Sequence, residues 1–349
     1  MIHYKRENLP AAIRDMAHMP HMEVLNKYLP EILLPDTDNS FSSCGKPDFR
    51  AAVYNMETGN RLHLILPYLT CHPKLKDLDI ILANEVDRGM ARSGNSDSVR
   101  EIAEKLGMNY AFGTEFLTAD AFRKGNEDGL GGNAIFSRYP LSHVKIIHLP
   151  IEYDWFYREG DCRLGVRIAV AAEIKAGTQN ILICCVHLDN RISPAGRACQ
   201  TEYLLRELKK EYGEMPALIG GDMNTNTVDG DALDGYRFIK DREEQLKRIA
   251  EIPRWEPLMD LVKAYGFRYD NCNLQSKVTR RKPDPSGDML LNLDWFFSRS
   301  LKCDGPCVVK SVFDHTELEN GEEFRQYDGA LLSDHDAVVI HCGPEDITS

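Results

Sequence analysis

Leu218-Ile219-Gly220-Gly221-Asp222-Met223-Asn224 closes a short apolar run, residues 216–220, with a glycine pair, a carboxylate and an amide. A brief apolar run bounded by turn residues reads as a buried strand. The polar groups behind it are then carried to the strand's end. Gly, Asp and Asn also build ordinary turns, so one such stretch decides little. The chain contains four more. Ala52-Val53-Tyr54-Asn55 ends in an amide, and Ile80-Ile81-Leu82-Ala83-Asn84-Glu85 ends in a carboxylate. Ile183-Cys184-Cys185-Val186-His187-Leu188 delivers an imidazole, and Leu331-Leu332-Ser333-Asp334-His335-Asp336 a carboxylate beside an imidazole.

Asp294 stands inside Leu291-Asn292-Leu293-Asp294-Trp295-Phe296-Phe297, where a carboxylate is buried and costly unless something pairs with it. His335 is the obvious partner. Each of the other residues has a plain structural alternative. Glu85 could be a surface carboxylate at a strand end, His187 a hydrogen-bonded core histidine, and Asn55 alone is a weak signal.

Around these stretches, strand-like and helical patterns alternate. Strands are expected at 49–56, 78–83, 108–116, 132–136, 144–149, 290–297, 307–313 and 337–340. Residues 163–173 and 180–186 form a hairpin across Lys175-Ala176-Gly177-Thr178. Helical spacing marks 61–68, 97–106 with Ser96 as its cap, 194–212, 241–250 and 258–265. Such a mixed order fits an α/β protein with two packed sheets. Residues 1–48 carry Pro10, Pro20, Pro30 and Pro35 and read as an N-terminal arm. It would hold a helix over 11–28, broken near Pro20, and would cover a sheet edge or wall a cleft. Residues 49–349 form the main domain.

The bulk numbers narrow the function. The chain has 349 residues, 43% hydrophobic and 28% charged, which suits a folded domain without staples. Its net charge of -12 repels polyanions at long range and argues against a protein that tracks duplex nucleic acid. The ten cysteines show no C-x-x-C spacing and read as reduced structural residues. Cys162, Cys303 and Cys307 receive no role. No signal peptide and no membrane span are visible, so a cytoplasmic protein is expected.

The collected side chains suit phosphate-ester hydrolysis. That chemistry needs a cation to neutralise phosphoryl oxygens, a group to orient water, and an acid or cation near the leaving group. Hard divalent metals take oxygen ligands, which Glu85, Asn55 and Asp334 supply. Zinc is less suited, since no cysteine stands with them.

In this order the motifs resemble the endonuclease/exonuclease/phosphatase superfamily, from about residue 50 to 342. The resemblance rests on Gly221-Asp222-Met223-Asn224, Ser333-Asp334-His335, Asn84-Glu85-Val86 and Gly132-Asn133-Ala134-Ile135-Phe136-Ser137-Arg138-Tyr139-Pro140. It implies a four-layered α/β sandwich with two packed mixed β-sheets flanked by helices, and a site at one end of the sheets. It implies magnesium, replaceable by manganese, on Glu85 with Asn55 and Asp334. Asp222 would orient the attacking water, with Asn224 beside it. His335, oriented by Asp294, would hold the scissile phosphate. His187 in Val186-His187-Leu188 resembles the deoxyribonuclease and sphingomyelinase branches, where abasic-site endonucleases carry tyrosine. Arg163, expected on a strand, would contact phosphate, whereas Arg197 would anchor a helix start. Asn84 departs from the family's usual glutamine. The long stretch 229–282, with Trp255, Tyr265, Phe267 and Tyr269, either shapes specificity or only packs.

The leading expectation is therefore a magnesium-dependent phosphodiesterase acting on a small molecule or a lipid headgroup. A DNA or RNA nuclease, a sugar or inositol phosphate monoesterase, and a non-catalytic binding protein on the same fold are the alternatives.

Overall fold

In the computed structural model, residues 4–41, 45–118, 124–158, 162–225, 241–282 and 289–345 are described. The strands are β1 (Asp36–Asp38), β2 (Phe49–Asn55), β3 (Ile80–Arg88), β4 (Asn109–Leu117), β5 (Leu130–Ser137), β6 (Ser142–His148), β7 (Leu164–Gly165) and β8 (Ile168–Ala176). They continue with β9 (Gln179–His187), β10 (Ala217–Asp222), β11 (Arg280–Lys282), β12 (Met289–Leu291), β13 (Asp294–Arg299), β14 (Leu301–Val309) and β15 (Ala337–Pro344). The helices are α1 (Leu9–Asp15), α2 (His21–Tyr28), α3 (Leu62–Cys71), α4 (Ser98–Leu106), α5 (Pro194–Tyr212), α6 (Arg242–Ala250), α7 (Ile252–Trp255) and α8 (Leu258–Ala264).

One sheet runs β1-β4-β5-β3-β2-β15-β14, with β7 on β4, and the other runs β13-β10-β9-β8-β6. Each is mixed: β2 and β3 are parallel, as are β9 and β10, among otherwise antiparallel neighbours. Three apolar layers show how they stack. Val53, Leu82, Ile135 and Ile340 of the first sheet meet Ile168, Ile183, Leu218 and Phe296 of the second. The outer face of the first sheet buries Ile65 and Leu69 of α3 with Val99 and Ile102 of α4. The outer face of the second buries Leu204, Leu205 and Leu208 of α5 with Leu258 and Val262 of α8. Helix, sheet, sheet, helix is the expected four-layered sandwich.

The N-terminal stretch splits into α1 and α2, as Pro20 requires. Ala12, Val24, Leu25 and Leu29 pack with Leu117, Leu130 and Leu164, and β1 pairs with β4 to extend the sheet's edge. In the 229–282 stretch, Phe267 and Tyr269 lie in the outer core of the second sheet, the packing alternative; its first part, to residue 240, lies outside the described residues.

Several local expectations change. The cap of α4 is Asp97, whose carboxylate accepts from Arg100 N, because Ser96 lies one residue too early. The run 290–297 is two strands in different sheets, β12 and β13. Arg163 is not on a strand; it precedes the two-residue β7, and the second-sheet strand starts only at Ile168. The strand at 78–83 continues through Glu85 to Arg88, across an irregularity in its pairing with β5.

Candidate active site

Asp222 ends β10 and has register neighbours on both sides, His187 on β9 and Asp294 on β13. Neighbours in register sit side by side on one face. The preceding Gly221 cannot be replaced without cost. Its φ is 149°, and an added Cβ would fall 1.8 Å from Val186 O. The glycine pair therefore lets β10 lie hard against β9 where its carboxylate is delivered. Asn224 follows at φ 48°, a left-handed conformation that non-glycine residues seldom take. Its backbone N–H donates to Asp222 Oδ1 at 2.9 Å, and its Nδ2 donates to Leu188 O at 2.9 Å.

The first sheet presents its own groups to this point. Asn55, at the end of β2, donates from Nδ2 to Asp222 Oδ2 at 3.0 Å and toward Glu85 Oε1 at 3.3 Å, while its Oδ1 accepts from Glu57 N. Glu85 is itself left-handed, at φ 54°, where the β3–β5 register shifts between Ala83 and Val86. A bulge re-aims a side chain at the cost of local strain. Here it accounts for a carboxylate inside a strand that turns toward the second sheet. Asn84 clamps the two sheets: Nδ2 donates to Val186 O and Asn133 Oδ1, and Oδ1 accepts from Asp222 N at 2.8 Å.

A row of alternating charges crosses the site. Asp294 Oδ2 lies 2.9 Å from His335 Nδ1, and His335 Nε2 lies 3.6 Å from Asp222 Oδ2. On the far side of Asp222, His187 Nε2 is 3.5 Å away, and His187 Nδ1 is 3.0 Å from Arg167 Nη1, whose guanidinium pairs with Glu115. Asp222, Asp294 and His335 are all buried, with ligand atoms within 4.8 Å of one another, a geometry that could hold a metal ion.

The electrostatics follow from burial and partners. Burial alone would lower the His335 pKa, but Asp294 and Asp222 raise it to about 9, so the ring is an imidazolium. Burial raises the Asp294 carboxyl against the pull of His335. Burial would also raise Glu85, yet His187, His335 and Arg167 hold it down to about 2. Glu115 is lowered in spite of burial, chiefly by Arg167 and then His187.

Thus Asn55, Glu85, His187, Asp222, Asn224, Asp294 and His335 converge. Asp334 arrives differently: its Oδ2 accepts from Arg280 Nε at 2.9 Å and Nη2 at 2.6 Å, and its Oδ1 is 3.8 Å from His335 Nε2. Arg163 has its guanidinium 4.7 Å from the Trp155 ring centre. Arg197 is wholly buried on Glu256 and Ile192 O, the helix-anchoring role.

Sequence reading passed over Glu115, Arg167 and Arg280. Glu115 and Arg167 carried the signal that singled out Asp294, a charge inside an apolar run. Arg280 sits in the polar run Thr279-Arg280-Arg281-Lys282, where nothing distinguishes it. The described cysteines are free thiols, and burial raises the pKa of Cys184 and Cys185.

No family model and no curated protein matches the sequence. Solved structures do match along most of the chain. An endonuclease/exonuclease/phosphatase protein of Beutenbergia cavernae DSM 12333 is 16% identical at a TM-score of 0.54, covering 86% of this chain and 72% of its own. The human Nocturnin catalytic domain, with bound sulfate, is 17% identical at 0.53, covering 88% and 98%. A family protein of Bacteroides thetaiotaomicron is 16% identical at 0.54, covering 86% and 98%. At such identities the likeness establishes a shared fold.

Proposed function

We propose, from the premise that this chain has the endonuclease/exonuclease/phosphatase fold, that it is a magnesium-dependent phosphodiesterase acting on a small-molecule or lipid-headgroup phosphodiester. The observation that carries this is the meeting, across two sheets, of Glu85, Asn55, Asp222, Asp294 and His335. A divalent hard cation fits the residues present. Glu85 is a half-buried carboxylate that stays ionised, and the Asn55 amide donates toward it. Glu85 and Asn55 would hold the ion, with Asp334 reaching it through Oδ1. Bound there, it supplies charge neutralisation for the phosphoryl oxygens.

The chain's own residues do the rest. Asp222 Oδ2, held by Asn55 Nδ2 and flanked by two imidazoles, accepts a hydrogen bond from the attacking water and takes its proton. Asn224, fixed by its bonds to Asp222 and Leu188, contacts phosphate. The His335 imidazolium, locked by Asp294, faces the phosphate with a positive charge that needs no reorganisation as negative charge develops. His187, backed by Arg167 and Glu115, is placed to donate toward the leaving oxygen. The net charge of -12 supports a small or headgroup substrate over a nucleic acid.

The test is a substrate panel with magnesium, manganese or chelator: bis-p-nitrophenyl phosphate, p-nitrophenyl phosphate, sphingomyelin, RNA and plasmid DNA. Magnesium-dependent release from the diester is the expected result. Rapid nicking of DNA at low enzyme would transfer the reading to a nuclease. No turnover of any substrate with either metal would leave a binding protein.

A further inference from the structure

A cavity lined by Glu85 but not by His335 or Asp222 adjoins the site. Its volume is about 110 Å³, and of the residues gathered around Asp222 only Glu85 lines it. That is well above the ~10–15 Å³ that admits one water. It is well below the ~300–1,000 Å³ of pockets that enclose a whole ligand. The space suits one compact group of a larger molecule.

Its walls are cationic. Arg92, Arg158, Arg163 and Arg167 line it, against the carboxylates of Glu85, Asp87 and Glu115. Arg92 is bound to Asp87, and Arg167 to Glu115. Arg158 and Arg163 lie against Trp155, with guanidinium carbons 5.0 and 4.7 Å from its ring centre. The guanidinium of Arg167 is 5.3 Å from the same ring, and the indole Nε1–H donates to Asp189 Oδ2. An indole face attracts cations, so Trp155 gathers guanidinium groups that would otherwise repel one another. One of them has unused capacity. Arg167 is buried, and its Nε–H has no acceptor among the described residues. Buried donors are nearly always satisfied. An anion in the cavity would lie against this guanidinium.

The geometry points to a second anion subsite: the cavity takes a terminal phosphate of the substrate, distinct from the phosphate that is hydrolysed. This rests on the phosphodiesterase reading and narrows its substrate to one carrying both a scissile diester and a phosphate monoester. Guanidinium forks match phosphate oxygens in pairs. A terminal phosphate brings close to two charges where a backbone diester brings one. The cavity's small volume suits the end of a molecule better than a passing strand.

Two measurements decide it. The first is calorimetric titration of inorganic phosphate into the full chain in chelator, for wild type, Arg158→Gln and Arg158→Gln/Arg163→Gln. Wild type should bind one phosphate, and the variants at least tenfold more weakly, the loss expected from one charge-assisted hydrogen bond. The single variant, at a half-exposed position, stands in if the double variant unfolds. Absence of binding, or equal binding by wild type and variants, overturns the subsite.

The second compares kcat/KM for thymidine 5′-(p-nitrophenyl phosphate) and its 3′-phosphate, with magnesium. The added phosphate should raise kcat/KM by about tenfold or more through KM, and the ratio should fall toward one in Arg158→Gln. A ratio of one in wild type overturns the terminal-phosphate substrate. So does an oligothymidylate without terminal phosphate that is cleaved as well as the phosphorylated ester, since it assigns the cavity to backbone phosphate. If neither ester is hydrolysed, the phosphodiesterase reading fails, and the titration still decides the subsite.

Discussion

Asp294→Asn tests the charge row at its root. The His335 ring is fully buried, and burial by itself pulls its pKa down; Asp294 is the largest opposing influence, and together with Asp222 it carries the value from 6.5 to about 9. The imidazolium is therefore favoured by about 3 kcal/mol. Asparagine keeps the shape of the partner and removes its charge. The variant's His335 should then titrate at or below the ordinary value. At pH 8 the charged fraction would fall from about nine-tenths to about three-hundredths, a loss near thirtyfold from protonation alone. Near pH 6 the deficit should shrink to a few-fold. The assay is kcat/KM on bis-p-nitrophenyl phosphate from pH 5.5 to 9, beside an NMR titration of His335 in metal-free protein. Stability follows with a definite sign. A pKa raised by folding stabilises fully below the unfolded value of 6.5, and that contribution is lost as pH rises through about 9. Urea unfolding of wild type should lose about 3 kcal/mol over that window, and the variant should not. A variant whose pH–rate profile superimposes on wild type refutes the reasoning.

Asp222→Ala should lower kcat by about a thousandfold or more while far-UV CD and unfolding temperature stay close to wild type; a near-normal rate removes the residue from the water-activating role. Glu85→Gln should weaken magnesium activation, read as at least a tenfold rise in the half-saturating metal concentration, and an unchanged titration would end its assignment as a ligand. Arg197→Ala removes the guanidinium from a wholly buried ion pair with Glu256, so urea denaturation should show a loss of about 3–5 kcal/mol. Gly221→Ala drives a Cβ into Val186 O and should cost more than the ~1–3 kcal/mol of ordinary overpacking, visible as loss of soluble, folded protein.

The parts of the fold that sequence made legible are those with local causes. Helix α5 matches its expected 194–212 span because Ser193 caps it, Pro194 opens it and Gly213 stops it. The β8–β9 hairpin follows from a two-residue turn holding Gly177 at φ 59°, with Ala176 opposite Gln179. Residues 290–297 were misread for the complementary reason. Met289–Leu291 and Asp294–Arg299 form one continuous apolar run, and nothing local says that Asn292 and Leu293 carry the chain from one sheet to another. Periodicity records burial; it does not record which partner does the burying. Arg163 failed similarly, since the break between Gly165 and Ile168 comes from β7 pairing with β4.

The site was legible to the extent that each residue violated its surroundings. Asp294 and Glu115 are charges in apolar strands, Arg167 stands just ahead of β8 in an apolar run, and such a charge must be paired or functional. Of the six groups in the row, Arg167 and Glu115 lie outside the sequence expectations. Once Glu115 and Arg167 are included, the order becomes Asp294, His335, Asp222, His187, Arg167, Glu115, with an imidazole on each side of the Asp222 carboxylate and an ionised partner beyond each. This arrangement suits the role of base proposed for Asp222, although it is buried. Asp294 Oδ2 holds the His335 ring from behind and Arg167 Nη1 holds the His187 ring, which fixes both orientations. Glu85 receives the same field, and His187, His335 and Arg167 keep it ionised without a direct salt bridge among the described residues. A half-buried carboxylate kept charged by neighbours it does not touch retains lone pairs for a cation, and that is the physical reason why the proposed metal is placed on Glu85, with Asp334 left chiefly to Arg280.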